Sequence, residues 1–419
     1  LIKETALKIS VLGMGYMGLP TACLLANAGY KVVGIDIDKK KIEALQKKKF
    51  ETTEPGLKEL FLKAVKSKNL SFSNQIQPAD VFLIAVPTPA KNNQIDLKYV
   101  ELATKMVSEV LQEGNLVILE STVSPNTCTQ FLKKILDKKQ IKYFLAHCPE
   151  RAIPGRTLYE IINNDRIIGA LDDQSRKMTK EIYQSFVKGK IYLTDLTTAE
   201  TVKLLENSFR DINIAFANEI AKISQKIGIN PWEAIKLANL HPRVNILNPG
   251  PGVGGHCIPV DPWFLAQNHP EAKFIKLARE INDSMPDYIV KILEQEFQQR
   301  KIKKPKIAVL GVAYKANVDD SRETPATKII DKMKKRNWQI KITDPFVKKY
   351  QYPLVTLGKA LKNSEAAVLI TDHSVYRNFN FQKYPLKFIF DTRNILTKEN
   401  LSPKTKLLTF GDSLNEDLK

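Results

Sequence analysis

The sequence predicts an α/β protein with two doubly wound lobes joined by a long central helix, and three observations carry that reading. Short β-branched runs alternate with helical patterns through the first half of the chain, the rhythm of βαβ units and a parallel sheet. One apolar periodicity of three and four then runs unbroken from Thr198 to Ile227. After a Lys-rich stretch, Arg300 to Lys306, the strand and helix alternation resumes. These changes divide the 419 residues into 1–197, 198–300 and 301–419, and the length alone argues for more than one core.

In chain order, the first lobe shows strand runs at Lys8 to Gly13, Lys31 to Asp36, Val81 to Val86, Leu116 to Glu120 and Tyr143 to His147. The central stretch places Val202, Leu205, Phe209, Ile212, Phe216, Ile220 and Ile223 on one helical stripe, long enough to join two lobes and to carry a homodimer interface. Gly228 stops that helix, and a Pro/Gly-rich loop follows from Pro242 to Pro262. Further strand runs stand at Lys306 to Leu310, Gln339 to Thr343, Ala366 to Ile370 and Lys387 to Phe390. No repeat of solenoid length is visible.

Composition narrows the class. Hydrophobic residues make up 43% and charged residues 26%, the balance of a globular protein and not of a disordered one. The longest apolar runs, such as Val81 to Val86, fall far short of the roughly 20 residues that cross a bilayer. No secretory signal pattern opens the chain. Cys23, Cys128, Cys148 and Cys257 show no CxxC pairing, so neither a disulfide scaffold nor a metal site is expected, and a cytoplasmic setting fits. The net charge of +19 comes from lysines scattered without interleaved aromatics, which argues against specific nucleic-acid binding and suits attraction of a diphosphate.

Two segments carry chemistry. The first is a strand running into Gly13-x-Gly15-x-x-Gly18, with Tyr16 and Met17 inside the turn and Asp36 at the end of the next strand. Glycines there allow a tight turn and close approach of a pyrophosphate to a helix N-terminus, while Asp36 accepts from the adenosine ribose and repels a 2′-phosphate. NAD is therefore the expected cofactor. Thr88, in Val86-Pro-Thr-Pro89, stands where the sheet edge would meet it, although a plain proline turn fits the same spacing.

The second segment is Asn248-Pro-Gly-Pro-Gly-Val-Gly-Gly-His-Cys-Ile-Pro-Val-Asp261. Its glycines free the backbone to fold around a ligand, and Cys257 falls where a helix could begin, a position that favours thiolate. Asp261, four residues on, would share a helix face with the thiol. His256 reads as packing more readily than catalysis. On the long helix Lys203, Asn207 and Asp211 repeat every four residues, either as a solvated face or as a polar stripe whose donor pair, Lys203 and Asn207, is aimed at an oxyanion.

Pro249-Gly-Pro-Gly-Val-Gly-Gly-His-Cys257, Gly13-Met-Gly-Tyr-Met-Gly-Leu-Pro20 and Cys148-Pro-Glu-Arg151 together resemble the UDP-glucose/GDP-mannose dehydrogenases over nearly the whole chain. His241-Pro-Arg-Val-Asn-Ile-Leu247 and Val260-Asp-Pro-Trp-Phe264 look most like the members acting on UDP-N-acetyl-D-mannosamine. The resemblance implies an N-terminal Rossmann domain for NAD, a central dimerisation segment and a C-terminal Rossmann-like lobe for UDP. It implies Lys203 and Asn207 as oxyanion and water-positioning residues, Glu150 as acid/base carboxylate and Thr122 as a water-orienting hydroxyl that also meets the cofactor. It further implies Arg151, Arg243, Asn245 and Gly254 as substrate ligands, Lys315 as a nucleotide-sugar or interlobe ligand, and Arg322 as a nucleotide-sugar, interlobe or cofactor ligand, although without the family Lys315 and Arg322 also read as ordinary surface cations. Tyr314 stands where the family carries Phe. Gly311-Val-Ala-Tyr-Lys315 follows a strand without a second GxGxxG, which independently argues against a second dinucleotide.

The implied reaction is a four-electron oxidation at C6 of a UDP-N-acetyl-sugar, supplying precursors for surface polysaccharide. Cys257 captures the aldehyde as a thiohemiacetal, a second oxidation yields a thioester, and water assisted by Asp261, Glu150 and Thr122 hydrolyses it. The same chemistry on UDP-N-acetylglucosamine or UDP-glucose is the nearest alternative. A two-electron β-hydroxyacid dehydrogenase would lack the cysteine loop and second lobe, and a non-catalytic nucleotide-sugar sensor would yield no NADH.

Overall fold

The computed structural model describes residues 7–52, 54–91, 94–153, 155–255 and 257–412. They form two compact units, Leu1–Glu206 with Trp263–Asn268, and Asn207–Pro262 with His269–Lys419. The stretch 198–300, expected as a third part, is thus shared between the two. A helix without a core of its own takes its burial from its neighbours.

In the first unit the strands are β1 (Lys8–Leu12), β2 (Lys31–Ile35), β3 (Leu70–Ser73), β4 (Val81–Ile84), a small hairpin of β5 (Ala90–Lys91) and β6 (Gln94–Ile95), β7 (Leu116–Leu119), β8 (Phe144–His147), β9 (Arg166–Ala170) and β10 (Ile191–Asp195). The main sheet has the order β10-β9-β8-β7-β4-β1-β2-β3. Helices cover both faces, so β4 and β7 are buried along their whole length. Ile9, Val11, Leu83 and Ile118 feed one core; Leu12, Phe82, Ile84 and Val117 feed the other. The chain reverses at the β1/β4 step, the switch point where such sheets bind ligands.

One pairing departs from the expected all-parallel sheet: β9 runs antiparallel to β8. An antiparallel neighbour starts at the edge where its predecessor ends. Residues 148–153 and 155–165 therefore stay at the C-terminal edge of the sheet instead of crossing back over a face, and Arg166 starts its strand at that edge.

The long helix runs Leu196–Ile227, 32 residues, beginning two residues before the expected start. In the second unit it packs through Ala221 with Met285, Ile289 and Leu293 of the helix Lys273–Gln299. The second sheet holds β11 (Lys306–Leu310), β12 (Gln339–Thr343), β13 (Ala366–Leu369), β14 (Phe388–Asp391) and β15 (Lys406–Leu408), all parallel in the order β12-β11-β13-β14-β15. Both units are thus Rossmann-like, as expected. Strands β3, β5, β6, β9, β10 and β15 had no counterpart in the sequence reading: Arg-Ile-Ile-Gly-Ala of β9 and Lys-Leu-Leu of β15 do not alternate, and Leu-Ser-Phe-Ser of β3 alternates over only four residues.

Candidate functional site

The cofactor turn is built from β1 and the helix Gly18–Asn27. Gly13 has φ +98°, and a Cβ there would lie 2.3 Å from the Ala85 carbonyl oxygen, so no other residue fits. A Cβ on Gly18 would stand 1.9 Å from the Gly13 carbonyl oxygen, whereas Gly15 faces open space. That is a cradle which a diphosphate can approach. The helix it opens onto has neither a side-chain cap nor an acidic residue in its first turn, so its positive end is open to an anion, although the Leu19 N–H already donates to the Gly15 carbonyl at 3.3 Å and Pro20 has no N–H. These features fit NAD.

Asp36 follows β2 and accepts from the Met14 backbone N–H at 2.9 Å and from Lys41 Nζ at 2.8 Å. Burial raises its carboxyl pKa, but Lys41 and the Asp38 and Met14 N–H groups outweigh that and hold it below the usual range. Thr88 lies in the loop after β4, half-buried. Tyr16 is exposed and its hydroxyl donates to Glu54 at 3.4 Å. Met17 is half-buried in the turn.

Thr122, half-buried, and Glu150 follow β7 and β8. Glu150 accepts on Oε1 from the Arg151 and Ala152 N–H groups, at 2.7 and 2.8 Å, and on Oε2 from Arg166 Nη2 at 2.9 Å. Arg166 escaped the sequence reading, because its partner lies sixteen residues away on another element. Glu120, also missed, is buried; it accepts from the Tyr183 hydroxyl at 2.6 Å and from Thr21 of the cofactor helix at 3.4 Å. Burial pushes its carboxyl up to about 7 against the pull of Arg166. Arg151, expected on substrate, is engaged inside this unit by Glu206 and by the Asp165 carbonyl at 2.9 Å. Lys203 is buried, not on a solvated face.

In the second unit Asn207 and Asp211 are also fully buried, which removes the solvated-face reading for them as well. Asp211 is paired with Arg279 at 2.5 Å and takes a structural role. The Asn207 amide donates to Asp261 and its oxygen accepts from Arg210. Arg210, another residue the spacing did not reveal, thereby fixes which way the amide points. Cys257 does not begin a helix: it sits in a turn with its side chain exposed, and the Asp261 N–H donates to its carbonyl at 2.7 Å. The helix starts at Asp261, Asp261–Ala266, so thiol and carboxylate lie one turn apart across the helix start instead of on a shared helix face. His256 lies outside the described residues.

The loop's close approaches are specific. Gly255 has φ +86°, and a Cβ there would lie 3.0 Å from the Tyr314 ring. Its N–H donates to the Arg322 carbonyl at 3.3 Å, and Gly254 lies alongside, half-buried. Burial first, then the charges of Asp320 and Cys257, push the Tyr314 hydroxyl up to about 12. Arg322 is exposed and bonded to Asp320, at 2.6 Å. Lys315, Arg243 and Asn245 are exposed too, and the Asn245 carbonyl accepts from Asn213 at 2.8 Å.

The second sheet explains its own lack of a dinucleotide turn. Asp344 follows β12 as Asp36 follows β2, but it is sealed: the Val312 and Ala313 N–H groups donate to it at 2.7 and 3.0 Å, and His373 Nε2 stands 3.0 Å away. Neither side chain of that pair is exposed, so no ribose can reach the carboxylate. Among the described residues no group of three His, Cys, Asp or Glu could hold a metal, and no helix is long and apolar enough to cross a membrane.

Comparison with known proteins agrees with this geometry. Residues 7–187, 197–284 and 308–398 match the models of the NAD binding, central and UDP binding domains of the UDP-glucose/GDP-mannose dehydrogenase family. The chain is 48% identical over 406 residues to a UDP-N-acetyl-D-mannosamine dehydrogenase of Methanococcus vannielii, covering 94% of each chain. It is 41% identical to an NDP-N-acetyl-D-galactosaminuronic acid dehydrogenase of Ralstonia nicotianae, covering 94% of this chain and 97% of that one. A solved UDP-D-ManNAc dehydrogenase from Pyrococcus horikoshii superposes with a TM-score of 0.91 at 38% identity, covering 96% of this chain and 99% of that one.

Proposed function

We propose that this chain, which belongs to the UDP-glucose/GDP-mannose dehydrogenase family and is an NAD-dependent UDP-sugar dehydrogenase, oxidises UDP-N-acetyl-D-mannosamine at C6 to the uronate. The observation that carries the choice of sugar is the 48% identity, over 94% of both chains, to a relative named for that substrate. The Ralstonia relative favours a galacto-configured N-acetyl sugar as the second reading.

NAD supplies the hydride acceptor, used twice per sugar. The thiol of Cys257 adds to the C6 aldehyde, forming a C–S bond and a thiohemiacetal; loss of a second hydride and a proton leaves the thioester. Buried Lys203 and Asn207 are the donors suited to the oxyanion, since hydrogen bonds gain strength where water is excluded. Water then breaks the C–S bond and restores the thiol, with Asp261, Glu150 and Thr122 to orient it and take its proton. Lys315, Arg243, Asn245 and Gly254 are assigned to the nucleotide sugar, and Arg322 to the cofactor.

Assembly as a homodimer accounts for the apolar side chains of the long helix that face solvent in the single chain: Leu205, Phe209, Phe216 and Ile223. A nucleophile carried as a free thiol suits a reducing compartment such as the cytoplasm. The uronate stays activated by UDP, as a precursor for surface polysaccharide requires.

The test is a steady-state assay of UDP-activated N-acetylmannosamine, N-acetylglucosamine, N-acetylgalactosamine and glucose. Two NADH per sugar and the highest kcat/KM on the manno isomer are expected. A clear preference for UDP-glucose would overturn the choice of sugar, and no NADH with any of them would overturn the enzyme.

A further inference from the structure

The second unit holds a run of buried polar side chains that the mechanism does not use. Asp211 and Asn218 lie on the long helix, and Arg279 and Asn282 on the helix Lys273–Gln299. All four are at most 2% exposed. Arg279 Nη1 donates to Asp211 Oδ1 at 2.5 Å. Asn282 Nδ2 donates to the same carboxylate oxygen and to the Asp211 carbonyl, each at 2.9 Å. Asn218 Nδ2 donates to Asn282 Oδ1 at 2.9 Å. The Gly250 backbone N–H donates to Asn218 Oδ1 at 2.8 Å.

The direction of every bond in this run is determined. Gly250 N–H can only donate and the Asp211 carboxylate can only accept, so neither amide can flip without opposing donor to donor or acceptor to acceptor. Desolvating four polar groups is costly, and apolar packing would be the cheaper way to join two helices. What the polar run adds is a bond to a loop backbone that has no side chain to pack. Gly250 is buried, and a Cβ on Gly252 would stand 3.1 Å from the Asn282 carbonyl oxygen. The tethered stretch leads directly into Cys257.

From this geometry we infer that Asn218 and Asn282 are positioning residues, which tether the stem of the Cys257 loop to the helix carrying Asn207 and so register the thiol for capture of the aldehyde. The consequence for catalysis rests on the function proposed above. A loose stem leaves the first oxidation possible but slows capture, so aldehyde escapes before the second.

Asn218→Leu removes the acceptor for Gly250 and the donor to Asn282 together; Asn218→Ala leaves room for water in place of the amide. With NAD affinity retained, both variants are expected to lose about 10- to 100-fold in kcat for uronate, the scale of a small misplacement. Aldehyde trapped by semicarbazide should rise relative to uronate, a ratio that a mere loss of folded enzyme would not move. Deuterium uptake over residues 248–255 should accelerate. Unchanged uptake and an unchanged aldehyde-to-uronate ratio in the folded variants would overturn the proposal. Should neither variant fold, the wild type decides: stem amides exchanging as slowly as the helix core support the tether, and exchange at the rate of a free loop overturns it. Deuterium uptake does not involve the thiol, so it stands apart from any failure of the cysteine chemistry.

Discussion

Arg166 Nη2 lies 2.9 Å from Glu150 Oε2, and neither side chain is more than 7% exposed. An ion pair this deep cannot lose one member without stranding the other. Arg166→Met is expected to destabilise the first unit by about 3–5 kcal/mol, read as a lower urea midpoint. It should also reduce uronate formation, because Glu150 loses the partner that orients it. A midpoint within error of wild type would mean that the pair is not formed in solution.

Asp36→Ala should weaken NAD binding about 10- to 100-fold, the value of hydrogen bonds to a charged acceptor. It also releases Lys41, which now bonds to Asp36 at 2.8 Å, as a cation facing the ribose. Preference for NAD over NADP should therefore narrow. An unchanged ratio of the two kcat/KM values would remove Asp36 from the cofactor site.

Cys257→Ser retains a small polar side chain but replaces thiolate by a hydroxyl whose alkoxide is scarcely populated near neutral pH. Steady uronate formation is expected to fall by orders of magnitude, with NAD affinity close to normal by fluorescence titration. Near-normal turnover of this variant would end the thioester mechanism.

Phe209 and Phe216 are 64% and 48% exposed on the long helix. The double variant Phe209→Lys/Phe216→Lys puts like charges on the proposed self-complementary face and should sediment as a monomer. A dimer that survives both changes would place the interface elsewhere.

Acid should destabilise the second unit through Asp344. Burial raises its carboxyl pKa, but hydrogen bonds from His373 and from the Val312 and Val347 N–H groups outweigh this and lower it to about 2. The folded value lies below the unfolded one, near 3.9, so the group's contribution is full above about pH 4 and is lost as pH falls towards 2. That contribution is about 2–3 kcal/mol. Between pH 4 and 2 the urea midpoint of wild type should fall more steeply than that of Asp344→Asn, and parallel slopes would show that the pair does not govern acid stability.

The glycine turn, Asp36 and the cysteine loop were legible in the sequence because their chemistry is local: a turn, a strand end and a loop announce themselves within a few residues. The stripe Lys203, Asn207 and Asp211 was legible as a stripe but not as a role. Spacing puts three residues on one face and does not say what covers that face. Burial of all three decided against solvent, and their partners then divided them, Asn207 to Asp261 and Asp211 to Arg279.

By itself the sequence determined two α/β lobes, a long helix and an NAD turn, since hydrophobic period and turn chemistry are properties of neighbouring residues. Only the tertiary structure decided that β9 runs antiparallel to β8, which keeps residues 148–153 and 155–165 at the sheet edge and brings Arg166 to Glu150. Only it decided that Cys257 precedes its helix, that Arg210 orients Asn207, and that Gly250 hangs from Asn218 across 32 residues of chain. Periodicity specifies which face is buried; the atom that meets it there depends on how distant elements pack.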